Sequence, residues 1–480
     1  MDRMSASDAF FYFAESENTP MHVGSVAVFE GPAPSYGDLV RLLLGKLPQV
    51  PRYRQRVRPV PLHLSLPLWV DDEHFQILYH VRHSAVPRPG SAEQLRNLAG
   101  RVLGQRLDMT KPLWETWLVE GLENDRWALI SKVHHCMVDG IAGTDLMQLI
   151  FDSDPAAEHP RPVTWTPTRA PSTASVLTGS VREAVVHPIR QLGGLPGLDQ
   201  LRRVPGAVLS RGAALGSVLP GLARQITTPV ARSLNGPIGP HRRWAWSETS
   251  LDEIKQVRAG LGGTVNDVVL TAIARGFRDL LESRGELTDG LVVRAMVPIS
   301  VRQVGERGTL NNKVSGVFVD LPVAEPDPVQ RLASLGDQMD EYKRVMKALD
   351  ARSIMALGEF VAPTLLDLGA RAGMRAGQSW TQVTTTNVPG PPVPLYVLGR
   401  QMCSLYAYVP IANGSRISIG IYSYVRAMTF GINVDFDAFP DVDVLAQGIC
   451  RGMEELVETA AVRQPSPEGS TVGRAAARQR

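Results

Sequence analysis

His134-His135-Cys136-Met137-Val138-Asp139-Gly140 places two imidazoles, a thiol and a carboxylate in one short stretch of chain. An imidazole titrates near neutrality, so it can take a proton from an alcohol or amine without a metal to activate either. Gly140 can adopt backbone angles closed to other residues, which lets the turn fold back close to whatever binds there. The chemistry on offer is general-base catalysis from a single loop, with Asp139 as an orienting carboxylate. Zinc is a poor alternative, since two adjacent His without a third ligand nearby fall short of the three or four that zinc sites use. Cys136 as a nucleophile has nothing local to lower its pKa apart from the His pair. The structural alternative is a buried polar turn, with His134 bonded to backbone and Asp139 capping the next helix. The full spacing of His, His, Asp and Gly weighs against it.

Positioning such a loop takes a rigid element on either side. The apolar run 127–133 reads as a strand, and 141–151 reads as a helix. Upstream, 24–29 and 76–81 are further strand candidates, and 92–107 puts Leu95, Leu98, Val102 and Leu103 on one helical face. In the second half, 251–261, 266–284 and 328–349 read as helices. There, 291–297 (ending at Pro298), 315–321, 417–424 and 428–434 read as strands, with Arg426-Ala427 as a hairpin turn. Alternating helices and strands predict an α/β chain. The expected division is residues 1–155 as a first domain carrying the His motif, 156–240 as a connector rich in Pro, Gly and Arg, 241–462 as a second domain, and 463–480 as a polar tail.

The His motif resembles the active-site signature of the CoA-dependent acyltransferase superfamily, which includes chloramphenicol acetyltransferase and peptide-synthetase condensation domains. Other stretches narrow the resemblance. Leu107-Asp108 leading to Pro112-Leu113-Trp114-Glu115, then Asn266-Asp267, Asn387-Val388-Pro389-Gly390-Pro391 and the opening Met21-His22-Val23-Gly24 are similar to elements of bacterial wax ester synthase/acyl-CoA:diacylglycerol acyltransferases. In order, they cover the chain from near residue 5 to near residue 460.

The resemblance implies two chloramphenicol-acetyltransferase-like α/β domains with mixed sheets and an active site in a tunnel at their interface. It implies direct O-acyl transfer from acyl-CoA to diacylglycerol or a long-chain alcohol, giving triacylglycerol or wax ester. His135 would be the general base, and His134 would orient the loop or bond the oxyanion. Asp139 would be architectural, paired with Arg302, beside Gly140. Asn266 would donate a hydrogen bond near the reacting carbonyl or brace the interface, although Asn266 and Asp267 could equally cap the helix that follows. Asn387 would open a turn at the tunnel mouth, where Pro389 fixes φ and Gly390 frees it. Acyl-CoA is a substrate, so no cofactor and no metal are expected. The rivals are an amide-forming condensation enzyme, which would need carrier-protein features this chain lacks, and a lipid-binding or droplet-associated relative with little activity.

Composition is compatible with this. The chain has 480 residues, 44% hydrophobic and 20% charged, enough for two cored domains. A formal charge of +2 predicts no strong pull toward nucleic acid. Three scattered cysteines, Cys136, Cys403 and Cys450, suit a reducing cytoplasm. With no signal-length or membrane-spanning apolar segment expected, lipid substrates would be met from the inner membrane face or a droplet surface. From 200 to 247 there is no Asp or Glu, but Arg202, Arg203, Arg211, Arg224, Arg232, Arg242 and Arg243 are present. That stretch suits anionic headgroups, CoA phosphates, or a solvated connector paired with acids elsewhere.

Overall fold

The computed structural model describes residues 2–61, 64–137, 150–178, 228–300, 314–348, 381–412 and 414–463. Two six-stranded mixed sheets organise them. The first runs Tyr396–Val397, Arg400–Tyr408, His22–Phe29, Arg126–His134, Trp114–Leu122, Val81–Ala85. The second runs Val314–Leu321, Val293–Ser300, Val383–Pro389, Ile417–Tyr424, Ala427–Asp435, Arg242–Ser250. The α/β class is as expected.

Arg126–His134 lies between two neighbours and is buried along nearly its whole length, which is why it reads as an apolar run. The Ala92–Gly104 helix packs on the first sheet. Its start is a reciprocal cap, in which the Ser91 hydroxyl accepts the Gln94 N–H and the Gln94 side chain accepts the Ser91 N–H. Its last carbonyls would be orphaned. Lys132 Nζ donates to Val102 O and Gln105 O at 3.2 and 3.0 Å, and His22 Nε2 donates to Leu103 O at 2.6 Å. A buried cation at the negative end of a helix is favourable, and Glu115 at 3.3 Å completes its neutralisation.

The second sheet buries Val293, Ala295, Val297, Val383, Ile417, Ile419, Ile421, Phe430 and Ile432 in a core shared with the Leu251–Leu261, Val265–Ser283 and Val442–Arg463 helices.

Several local expectations change. Residues 76–81 are not a strand: Ile77–His80 is a short helix and Val81–Ala85 is the strand that follows, parallel to Trp114–Leu122. As an edge strand it is polar and half-exposed, so it carries little apolar signal. Pro298 does not end its strand, which runs to Ser300. The parallel neighbour pairs only at Ala295 and Met296, so the proline interrupts no ladder on that side. The hairpin turn is Val425-Arg426, one residue earlier than expected, with Val425 at φ 53°. The cap of Val265–Ser283 is Thr264, reciprocated by Asp267, and Asn266 is not the cap. Asn387 through Pro389 remain in a strand, paired parallel with Ile421 through Ser423.

The chain does not divide into consecutive halves. Tyr396–Val397 and Arg400–Tyr408, within the expected second domain, belong to the first sheet, where Arg400–Tyr408 pairs with His22–Phe29. This strand then crosses the face of the second sheet. Thr429 Oγ1 donates to Leu405 O (2.6 Å), Tyr424 Oη to Met402 O (3.0 Å), and Ser418 Oγ and Asn433 Nδ2 to Val409 O (2.6 and 2.8 Å). Gly420 and Gly431 stand opposite each other beneath it. A Cβ on Gly420 would come within 2.9 Å of the Ala407 Cβ, and one on Gly431 would run into Ala407 O. Only glycine allows the two sheets to meet this closely.

Gly431→Ala is accordingly expected to cost about 1–3 kcal/mol as an overpacking substitution, read as a lowered Tm. Gly336→Ala, where nothing lies within 4 Å of the added carbon, is the control and should leave Tm unchanged or higher. Equal melting of Gly431→Ala and wild type would remove the close-crossing argument.

Candidate active site

The strand Arg126–His134 ends between two carbonyls. His134 N–H donates to Leu113 O at 2.9 Å, and His135 N–H donates to Met21 O at 2.8 Å, after which the chain turns into the short 3-10 helix His135–Met137. The Pro112-Leu113-Trp114 segment therefore serves the motif through backbone and packing. Leu113 is fully buried beside Cys136, Phe13 and Met4, and Trp114 Nε1 donates to Tyr53 O at 2.8 Å.

His134 is fully buried and both its ring nitrogens are engaged. The Cys136 N–H donates to Nδ1 at 3.1 Å, so that nitrogen carries the lone pair and Nε2 the proton, which it gives to Glu15 Oε2 at 3.0 Å. Glu15 stands at the C-terminal end of the Ala6–Ala14 helix, 2% exposed in its side chain. It also accepts from Met21 N–H at 3.0 Å and from Arg106 Nε at 3.1 Å. Burial alone would raise its carboxyl, but the bonds from His134, Met21 and Arg106 outweigh it and hold the pKa at about 2.

His135 differs in each respect. Its side chain is half-buried, and its ring stacks on Phe11 with centroids 3.8 Å apart and planes 10° from parallel. Nδ1 is shielded from solvent and has no hydrogen-bond partner in any other described residue. Burial pushes the imidazole down to about 4 against an opposing bond with its own backbone, with neighbouring His134 also lowering it, so the ring is uncharged at neutral pH. Burial raises the Cys136 thiol well above its ordinary range, which leaves it a poor nucleophile. His22, directly across from His134, is held neutral by burial, its pKa pushed down to about 3.

The motif's second half, Asp139 and Gly140, lies outside the described residues, as does Arg302, so the expected Asp139–Arg302 pair does too. So does nearly all of the helix expected at 141–151. Asn266 occupies the first turn of Val265–Ser283 and is half-buried. Asn387 pairs with Ile421 and shares its face of the second sheet, the one under the helices. The face toward the first sheet carries Val388 instead. Among the described residues no hydrogen bond joins either Asn to the His pair. Sequence reasoning missed Glu15 and Phe11. The signal was an acid closing an aromatic-rich helix, Ala6–Ala14, that ends on a buried position. Among the described residues no group of three or more His, Cys, Asp and Glu could hold a metal ion.

Known proteins match the chain along nearly its whole length. Residues 4–269 match the wax ester synthase/diacylglycerol acyltransferase catalytic domain, and residues 310–457 match the C-terminal domain of the same family. A Mycobacterium tuberculosis protein named "Probable diacyglycerol O-acyltransferase tgs1" is 33% identical over 463 residues, covering 95% of this chain and 96% of that one. A second from the same organism, tgs2, is 31% identical over 443 residues, 90% of this chain and 93% of that one. In fold, the chain is similar to the wax ester synthase/diacylglycerol acyltransferase of Marinobacter aquaeolei VT8, with TM-score 0.68, 24% identity, and 96% and 100% of the two chains covered. The starter condensation domain of rhizomide synthetase, solved with C8-CoA and Leu-SNAC, shares the fold at TM-score 0.55 and 12% identity, over 97% of this chain and 95% of that one.

Replacing Glu15 with Gln should lower stability by about 2 kcal/mol at pH 7, through loss of charge-assisted hydrogen bonds in a buried site. Because the folded carboxyl sits near 2, below its usual 4.5, its contribution is complete above 4.5 and fades as pH falls from there toward 2. Urea unfolding at pH 7 and pH 4 should therefore show the gap between wild type and Glu15→Gln narrowing at pH 4. A gap that widens would mean the carboxylate is not the stabilising form.

Proposed function

The chain belongs to the wax ester synthase/diacylglycerol acyltransferase family, and from that premise we propose that it transfers an acyl group from acyl-CoA directly to a lipid hydroxyl with His135 as general base. The product is triacylglycerol when the acceptor is diacylglycerol and wax ester when it is a long-chain alcohol. In this reading the acceptor oxygen attacks the thioester carbonyl carbon while His135 Nε2 takes its proton. The C–S bond then breaks, and the imidazolium returns the proton to the departing thiolate to give CoA.

The observation that carries the reading is the state of His135, half-exposed and neutral at pH 7 next to a His134 whose two nitrogens are spoken for. A free base must hold its lone pair, and of the two rings only this one has a nitrogen to spare. A base this weak removes a proton with little driving force, so placing the two substrates must supply much of the acceleration. His134 is assigned the orienting role, through Glu15. Asp139 and Gly140 complete the turn, with Arg302 as the carboxylate's partner and Asn266 bracing the second sheet toward the site. Asn387 is left a structural part in its strand.

Among the described residues no helix is long and apolar enough to cross a membrane. We place the protein at a membrane or droplet surface, where such acceptors reside. Of the acid-free stretch, Arg242 is buried and Arg243 lies over the Phe436 ring. Arg202, Arg203, Arg211 and Arg224 lie outside the described residues, and the lipid contact is assigned to them by charge alone. Replacing these four with Ala should weaken sedimentation with anionic vesicles, and unchanged sedimentation would move the contact elsewhere.

The direct test is CoA thiol release from palmitoyl-CoA with hexadecanol or dioleoylglycerol. Acceptor-dependent release should fall by about 10²-fold or more in His135→Ala. With the free base near 4, the acidic limb of wild-type kcat/KM should lie below pH 5. Retained activity in His135→Ala would remove the base assignment.

A further inference from the structure

Histidine bases are commonly aimed by a hydrogen bond at the nitrogen that does not do the chemistry, which fixes both tautomer and ring plane. No other described residue bonds His135 Nδ1, and the hydrogen-bonding contact the ring does make is with its own backbone. What meets the ring instead is the face of Phe11, at 3.8 Å between centroids and 10° between planes. We propose that Phe11 is the positioning residue of the base: its ring, flat against the imidazole, holds the plane of a ring that no other described side chain grips. The proposal rests on the reading of His135 as the base.

The sequence delivers Phe11 to that place by a short, well-anchored helix. Ser5 caps Ala6–Ala14 by accepting the Asp8 N–H at 3.1 Å. Ala9 and Phe13 bury it against Leu113, whose carbonyl takes the His134 N–H, and Cys136, which follows the His pair. Glu15, closing the helix, holds His134. One nine-residue helix therefore grips both histidines, one through a carboxylate and the other through an aromatic face. The two grips have different consequences. The carboxylate takes the Nε2 proton of His134 and fixes its tautomer, whereas a phenyl face shields one side of His135 from water and leaves the ring neutral while limiting rotation about its Cβ–Cγ bond.

The charged and titratable groups around His135 are few. Its own turn brings His134, bonded to Glu15, and the Cys136 thiol. Around the adjacent Cys136 the helix brings Asp8, which accepts from the Ser5 hydroxyl, and Tyr12, and the short 3-10 helix Pro51–Arg54 brings Arg52. None of the described residues offers a hydrogen-bonding carboxylate to His135, so the phenyl face is the group whose removal should change its titration.

The test compares Phe11→Ala, Phe11→Leu and Phe11→Tyr with wild type and His135→Ala. Steady-state rates with palmitoyl-CoA and hexadecanol are taken from pH 5 to 9, with a thermal melt on every variant. Phe11→Ala should lose about 10- to 100-fold in kcat, with KM for acyl-CoA within about twofold. Its acidic limb should climb toward the ordinary imidazole value of about 6.5 as water reaches the ring. Phe11→Leu fills the space without a flat face and should lose kcat at unchanged melting temperature, while Phe11→Tyr should keep it. If Phe11→Ala does not fold, the Leu and Tyr pair decides. Folded Ala and Leu variants with wild-type kcat and acidic limb would overturn the proposal, and so would a Tyr variant as impaired as Leu. His135→Ala separates the two claims: activity there defeats the base reading itself, whereas a dead His135→Ala beside unaffected Phe11 variants defeats only the role of Phe11.

Discussion

His22 stands directly opposite His134 across the central pair of the first sheet, and from that one alignment the site follows. The alignment puts Met21 O where it receives the His135 N–H, and it lays the chain from Glu15 to Met21 alongside the turn. A slip of one residue would turn every side chain of the strand to the other face. Both faces forbid it. Ala27 and Phe29 enter one core, with Trp127 and Leu129, while Val26 and Val28 enter another, with Ala128 and Ile130. A strand buried on two sides has its register fixed twice over, and the turn carrying the His pair inherits that rigidity.

The second constraint joins the two sheets. Arg400–Tyr408 completes the first sheet beyond His22–Phe29, then rests on the bare Gly420–Gly431 pair of the second, with side-chain hydroxyls and an amide taking its carbonyls. Arg242, at the edge of the second sheet, donates to Asn18 O at 2.6 Å, in the loop between Glu15 and Met21. The segment that holds the histidines is thereby tied to both sheets. A shift of one sheet against the other would reach Glu15 and Met21 before anything else at the site.

How far the sequence alone carries the account depends on the range of the interaction. The His motif, the apolar strand before it and the helices with clear spacing were legible because their signals are local. The polar edge strand Val81–Ala85 was not, since half-exposed edges carry charge in place of alternation. Asn266 looked like a cap by residue type, but the true cap is Thr264, whose reciprocal partner three residues on is the better local signature. Glu15 and Phe11 escaped because nothing near them in sequence names their partners, which lie more than a hundred residues away and meet them only once the sheet has formed. The placement of 396–408 in the first sheet was equally hidden, because a strand's pattern gives its faces and not its neighbours.

The central claim is that one histidine of the pair is pinned and the other is held neutral and free to act. Nitrogen NMR of histidine-labelled full-length protein tests it most directly, with the two rings assigned through His134→Asn and His135→Asn. At pH 7 the account predicts His134 protonated only at Nε2, and His135 uncharged and remaining so down to pH 5. A doubly protonated His135 at pH 7, or a proton on His134 Nδ1, would contradict it.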